Sequence, residues 1–237
     1  MYFFYHPRIT EKVFTLDEQE SRHCVKVLRM NTGDEVALTN GKGTLFKGKL
    51  IDNHIKACKI EIVSAIEYEK KKPCIHMAIA PTKSMDRFEW FLEKVTELGV
   101  DEITPVLCEH SERKHIKPER FEKIMISAIK QAQHVYLPTL NPLTGFFEFI
   151  QQHTSKNLII AHCAYKIENH LLNAVKTDET NVILIGPEGD FSKQEVEYAL
   201  SNQCIEAHLG DSRLRTETAG IVGCEIAHLA GFLDSAQ

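Results

Sequence analysis

Ile185-Gly186-Pro187-Glu188-Gly189-Asp190-Phe191-Ser192 and Leu209-Gly210-Asp211-Ser212-Arg213-Leu214-Arg215-Thr216-Glu217-Thr218-Ala219-Gly220 are two loops of one kind. Each follows a short apolar run and leads into a helical pattern. The first follows Asn181-Val182-Ile183-Leu184-Ile185, a β-branched run that reads as a buried strand. Gly186-Pro187 and Gly189 then read as a forced turn, because glycine permits positive φ and proline fixes φ. Ser192 with Glu195 has capping-box spacing, so a helix is expected there, with Val196, Ala199 and Leu200 as its apolar stripe. The second loop follows Ala207-His208-Leu209, and Thr216 or Thr218 is placed to cap the next helix. That helix, through Ile221, Val222, Cys224, Ile226, Ala227, Leu229, Ala230 and Phe232, is apolar nearly all round, which predicts burial. Two strand-to-helix turns so close in sequence predict one pocket at neighbouring strand ends, where open α/β sheets hold ligands.

Upstream the alternation continues. Ile75–Ala80, Ile103–Leu107 and Leu158–Cys163 read as strands. Phe88, Phe91, Leu92, Val95 and Leu98 recur at helical spacing before Gly99, and Phe121, Ile124, Met125, Ala128, Ile129 and Ala132 form a second stripe. Strand–helix alternation predicts an α/β fold with a mostly parallel sheet. The charged run Glu67-Tyr68-Glu69-Lys70-Lys71-Lys72-Pro73 separates this from a different style of sequence. Before it, Glu35–Thr39, the turn Asn40-Gly41-Lys42-Gly43, Thr44–Ile51 and the alternating Lys59–Val63 read as a small β-domain. A short helix is expected near Asp17–Leu28. The predicted domains are therefore 1–72 and 73–237.

Charge narrows the ligand class. Glu188, Asp190 and Glu217 sit in or beside the loops and would repel phosphate, and neither GxxxxGK[ST] nor GxGxxG after a strand is present. Exposed backbone with carboxylates suits a ligand such as S-adenosylmethionine, although acids at helix N-termini also satisfy the helix dipole. The chain has a net charge of −5, unevenly spread. Residues 1–72 carry 13 Lys and Arg against 10 Asp and Glu, and residues 73–237 carry 15 against 23. The first part is thus the better phosphate-contacting face, though a solvated surface accounts for the same balance.

Composition is that of a globular protein, with 43% hydrophobic and 26% charged residues. Seven scattered cysteines without a CxxC point to a reducing, cytoplasmic setting and away from disulfides or structural zinc. MYFFYHPRIT does not read as a signal peptide, and the longest apolar stretch is interrupted by Glu225 and His228. Twelve histidines without HxxxH or HExxH give no case for a metal.

GPEGDFS followed by LGDSRLRTETAG resembles the paired cofactor loops of the RsmE branch of the SPOUT RNA methyltransferases. The resemblance extends to Arg22-His23-Cys24-Val25-Lys26-Val27-Leu28-Arg29-Met30 with Gly33-Asp34, and to Lys83, Arg87, Glu89, Lys94 and Glu97-Leu98-Gly99-Val100. It implies a SPOUT-type trefoil-knotted C-terminal domain, an N-terminal PUA-like RNA-binding β-barrel, a homodimer, and S-adenosylmethionine as cofactor. The implied reaction is methylation of N3 of a uridine in 16S rRNA of the small subunit. The implied cofactor contacts are Ala161, His162, Ile185, Gly186, Pro187, Glu188, Gly189, Leu209, Gly210, Leu214, Thr216, Glu217, Thr218 and Ala219. The implied RNA contacts are Arg22, His23, Lys26, Arg29, Lys83, Arg87, Arg113 and Gln131. His110 and His134 stand where relatives tend to carry Arg.

A uracil N3 keeps its proton until something accepts it or stabilises the anion. Arg215, in the second loop, is the candidate stabiliser, since its planar fork suits uracil carbonyls or a phosphate. An ion pair with Glu188 or Glu217 is the competing role. The target base must also be unstacked. Two other activities remain open from sequence: a ribose 2′-O-methyltransferase of the same superfamily, and an RNA-binding protein without catalysis.

Overall fold

Alternating short strands up to Glu67 and strand–helix units after it set two different kinds of sheet in this computed structural model. It describes residues 2–163 and 166–235. The first unit comprises residues 2–70 with Ile129–Leu137, and the second comprises Lys71–Ala128 with residues 138–235.

In the first unit, β1 (Tyr2–Tyr5), β2 (Val13–Thr15), β3 (Glu35–Thr39), β4 (Thr44–Asp52) and β5 (Lys59–Glu67) form one sheet in the order β1-β3-β4-β5-β2. Only β1 and β3 run parallel. Register shifts at Lys47/Gly48 and Leu50/Asp52 interrupt the long β4–β5 ladder. Such irregularities bend a sheet and increase its twist. It folds over a core of Phe4, Leu16, Cys24, Met30, Val36, Leu38, Leu50, Cys58 and Ile60. The expected Asp17–Leu28 helix is α1 (Glu18–Arg22), continuing into a π-helical turn at His23–Val27. Asp17 caps it, its carboxylate accepting from the Glu20 N–H at 2.8 Å. The Asn40-Gly41 turn joins β3 to β4 with Gly41 at φ 71° and Gly43 at φ 96°. Segment 129–137 is anchored on that turn: the Gly43 N–H donates to the Val135 carbonyl and the Leu137 N–H to the Gly41 carbonyl.

In the second unit, β6 (Cys74–Ile79) leads to α2 (Met85–Leu98), which ends at Gly99 in the left-handed conformation, φ 96°. Then come β7 (Glu102–Leu107) and α3 (Pro118–Ala132), whose residues from Ile129 onward belong to the first unit. The short β8 (Thr139–Leu140) and β9 (Thr144–Gly145) precede α4 (Phe146–Gln152) and β10 (Asn157–Ala161). The remainder is α5 (Leu171–Ala174), β11 (Thr180–Ile185), α6 (Lys193–Ser201), β12 (Ile205–Ala207) and α7 (Thr216–Ser235). The strand order is β12-β10-β11-β6-β7-β8, with β9 beside β7, and every pairing is parallel.

Register fixes where the loops emerge. Ala161 lies opposite Ile185 and Ala207, and Ile185 lies opposite Ile79. The carboxyl ends of β6, β10, β11 and β12 are therefore level, and the loops after them share one edge of the sheet. Nearly every residue of β10 and β11 is buried, as expected of parallel strands covered on both faces. The last helix is less uniformly buried than its sequence predicts. Cys224 and Ala227 are fully buried, while Leu229, Phe232 and Leu233 are 44%, 68% and 44% exposed. Their spacing places all three on one face.

Candidate active site

The two loops meet. Ala161, His162, Cys163, Ile185, Gly186, Pro187, Glu188, Gly189, Asp190, Arg213, Leu214, Arg215, Thr216 and Ala219 enclose a cavity of about 480 Å³. The Thr216 hydroxyl, at the first residue of α7, donates to the Gly186 carbonyl at 3.1 Å and joins one loop to the other.

The first loop is shaped by close approach as much as by turn chemistry. Its left-handed residue is Asp190, φ 63°, rather than either glycine. Aspartate tolerates that region because its short polar side chain bonds locally. Here Oδ1 accepts from the Phe191 N–H and Oδ2 from the Cys163 N–H, both at 2.8 Å. Gly186 and Gly189 sit where a side chain would be tight. A Cβ at Gly186 would lie 3.1 Å from the Phe191 ring, and one at Gly189 would lie 3.1 Å from the His110 Cβ. The predicted capping box is present, and Glu195 does more than cap. Its Oε2 accepts from the Ser192 N–H and its Oε1 from the Glu109 N–H, each at 2.8 Å.

Three strand-end loops are thereby tied together. Glu188 accepts from the Lys83 N–H at 2.9 Å, and Arg113 Nη2 donates to the Lys83 carbonyl at 2.8 Å. The His110 Nδ1 lies 3.0 Å from the Asp190 carbonyl and 3.2 Å from that of Gly189. The Asp190 carbonyl first, and then that of Gly189, hold the His110 ring above the usual histidine range. The Cys163 thiol is pushed up by burial and then by Asp190, against the opposing charge of Arg213. It is a poor thiolate nucleophile.

Arg215 lines the cavity and is exposed. Among the described residues it has no ion pair. The carboxylates expected to compete for it are engaged elsewhere: Glu188 on the Lys83 N–H, and Glu217 with Arg87, Nε to Oε1 3.7 Å.

Ten of the fourteen expected cofactor residues line the cavity. Leu209, Gly210, Glu217 and Thr218 do not. Gly210, at φ 127°, turns the chain before the loop reaches the cavity, and the Glu217 side chain is only 6% exposed, packed inward toward Arg87. Cys163, Asp190 and Arg213 line the cavity without standing among the expected cofactor contacts, although Asp190 and Arg213 lie within the two loops. Cys163 follows the end of β10 and closes the run Leu158–Cys163 that reads as a strand, which was the sequence signal for it.

The expected RNA residues fall into separate groups. Arg22, His23 and Lys26 border a groove of about 350 Å³ in the first unit, with Gln19, Glu20, Val27 and Lys130. Lys130 pairs with Glu20 there at 2.6 Å. Arg29 is exposed at φ 55°, outside that groove, as is Gln131. In the second unit Lys83 and Arg113 line one concavity, and Arg87 lies apart from it on α2. No group of three or more His, Cys, Asp or Glu able to hold a metal occurs among the described residues.

Residues 69–228 match the model of an RNA methyltransferase domain, and residues 16–63 match that of an RNA methyltransferase PUA domain. The chain belongs to the small-subunit ribosomal RNA methyltransferase E family. Ribosomal RNA small subunit methyltransferase E of Buchnera aphidicola is 31% identical over 213 residues, covering 86% of this chain and 83% of the relative. The crystal structure of a probable rRNA methyltransferase from Porphyromonas gingivalis superposes with a TM-score of 0.90 at 38% identity, covering 99% of this chain and all of the other. A family member from Neisseria gonorrhoeae, solved bound to S-adenosyl methionine, has a TM-score of 0.86 at 26% identity, with 97% of each chain covered. The α/β domain with its parallel sheet and the small N-terminal β-domain are thus the methyltransferase E architecture.

Proposed function

We propose that this chain transfers a methyl group from S-adenosylmethionine to N3 of a uridine in 16S rRNA of the small subunit. The observation that carries the reading is the cavity closed by both loops at the carboxyl ends of β10 and β11, with Arg215 at it and unpaired among the described residues. The residues present fit the cofactor. The cavity, about 480 Å³, has room for it, and the carboxylates of Glu188 and Asp190 in its lining suit a cationic ligand. Backbone groups of Ile185–Gly189 and Leu214–Thr216 would hold it, and it supplies an electrophilic methyl group when bound.

The remaining work falls to this chain. As N3 gives its proton to solvent and takes up the methyl group, with S-adenosylhomocysteine as the leaving group, Arg215 stabilises the developing charge through donors directed at the uracil carbonyls. The tied loops keep the cavity walls fixed while the base enters. Arg22, His23 and Lys26 of the first unit supply backbone-phosphate contacts, which makes residues 1–72 the RNA handle. The Leu229, Phe232 and Leu233 face supports a homodimer through α7. All seven cysteines are free, which supports a cytoplasmic setting, and no helix of the described residues is long and apolar enough to cross a membrane.

Nucleoside mass spectrometry of rRNA from a deletion strain tests the reading. Loss of 3-methyluridine, restored by the purified chain with S-adenosylmethionine, is expected. Loss of a ribose-methylated nucleoside instead would overturn it.

A further inference from the structure

A second concavity of about 480 Å³ lies in the same unit, lined by Lys83, Glu112, Arg113, Lys114 and His115. None of these residues lines the loop cavity. The lining sets three permanent cations against one carboxylate. Glu112 holds the Lys83 ammonium at 2.8 Å, and both side chains are largely exposed. Arg113 uses Nη2 on the Lys83 carbonyl, while its Nε is buried with no hydrogen-bond partner. Lys114 and His115 have no ion pair or hydrogen bond among the described residues. The Lys83 N–H is bound to Glu188, so this cationic hollow begins one hydrogen bond from the first loop.

We propose that this hollow is an RNA-phosphate subsite that seats the backbone beside the nucleotide entering the cavity, with Glu112 as the placeholder that phosphate displaces from Lys83. The inference rests on the proposed reaction only for which nucleotide is held there. A phosphate between Lys83, Lys114 and His115 gives each donor an acceptor and releases Glu112 to solvent, where an exposed carboxylate is well hydrated. Lys83 and Arg113 act as a pair because one carries the other's hydrogen bond. The hollow thus places phosphate next to the chemistry, within the unit that holds the cavity.

The test uses the full chain and a small-subunit rRNA transcript, with RNA affinity measured across a series of potassium chloride concentrations. A double variant, Lys114→Gln with His115→Gln, should bind RNA more weakly. Its slope of log affinity against log salt should be shallower by about 0.7 for each single-strand phosphate that is no longer neutralised. S-adenosylmethionine affinity, by calorimetry, should not change, and KM for RNA should rise more than kcat falls. Glu112→Gln should tighten RNA binding by removing the competitor. Unchanged affinity and slope in the double variant would overturn the subsite. The reaction is judged separately, by 3-methyluridine in the same transcript. If RNA binds but no such product forms, the proposed reaction fails and the salt slopes still decide the subsite.

Discussion

Thr216 and Gly186 are thirty residues apart in sequence and 3.1 Å apart in space, the threonine hydroxyl donating to the glycine carbonyl inside the protein. The bond fixes the start of α7 against the end of β11. Replacing Thr216 by Val removes the donor at a buried position, which typically costs about 1–3 kcal/mol. We expect a lower Tm and weaker S-adenosylmethionine binding in calorimetry, with Thr216→Ser close to the unaltered chain. Equal cofactor affinity for Val and Thr would show that the two loops are positioned by other contacts.

Gly186→Val is expected to weaken cofactor binding through Phe191. The new Cβ would stand 3.1 Å from the Phe191 ring and 3.2 Å from its backbone nitrogen, and that ring is itself packed on Phe146 at 5.5 Å. Overpacking of this kind costs about 1–3 kcal/mol. Gly186→Val combined with Phe191→Leu should recover part of the loss, and calorimetry on the single and double variants checks it.

Arg215→Ala should lower the methylation rate by roughly a hundredfold or more if the guanidinium stabilises charge only in the transition state. Cofactor affinity and Tm should hardly move, because neither Glu188 nor Glu217 relies on Arg215 as a partner. Arg215→Lys should recover little, since an ammonium lacks the planar fork. Single-turnover kinetics at saturating cofactor separates these outcomes, and normal turnover in the Ala variant removes Arg215 from the site.

Acid should destabilise the second unit through His76. Burial first, and then the charges of His153 and Lys156, pull this ring from its ordinary value of 6.5 down to about 3. Glu102, 3.7 Å from Nδ1 but 44% exposed, does not offset that. The folded ring stays neutral, its Nε2 2.7 Å from the Thr104 hydroxyl, while the unfolded chain takes up a proton as pH falls below 6.5. Stability is therefore full above that pH and falls from about 6.5 toward 3, by at most about 1.4 kcal/mol per pH unit for this one group. Urea unfolding at pH 7, 6 and 5 should show a shallower decline for His76→Gln, and identical slopes would assign the acid sensitivity to other groups.

The proposed dimer is tested on α7. Phe232→Asp places a charge on the Leu229, Phe232 and Leu233 face and should convert a dimer to a monomer in light scattering, with little change in the far-UV spectrum. A monomer before substitution, or a dimer after it, removes this face as the interface.

The elements legible in the sequence are those fixed by neighbours along the chain. Ser192 and Glu195 declare a capping box, Asn40-Gly41 a hairpin, and Gly99 a helix stop, because each depends on local backbone chemistry. What the sequence hides is set by contacts distant along it. Glu195 gives its second oxygen to Glu109, eighty-six positions away, and nothing in a capping box announces that. Residues 129–137 join the first unit through the Gly41–Gly43 turn although they begin within α3, a helix that starts in the second. In the site, the first-loop residues that follow β11 line the cavity. Leu209 and Gly210 do not, because β12 ends at Ala207 and the chain must turn before it returns to the cavity. A knot leaves no periodic trace, so only the family resemblance speaks to it.

The tie between Lys83 and Glu188 has a thermodynamic consequence. The loop that would seat the cofactor and the loop that would seat RNA share hydrogen bonds at Lys83, Arg113 and His110, so restraining one restrains the other. Occupancy of either site then alters the free energy of filling its neighbour. Linkage makes that influence mutual: whatever factor S-adenosylmethionine adds to RNA affinity, RNA must return in equal measure to S-adenosylmethionine.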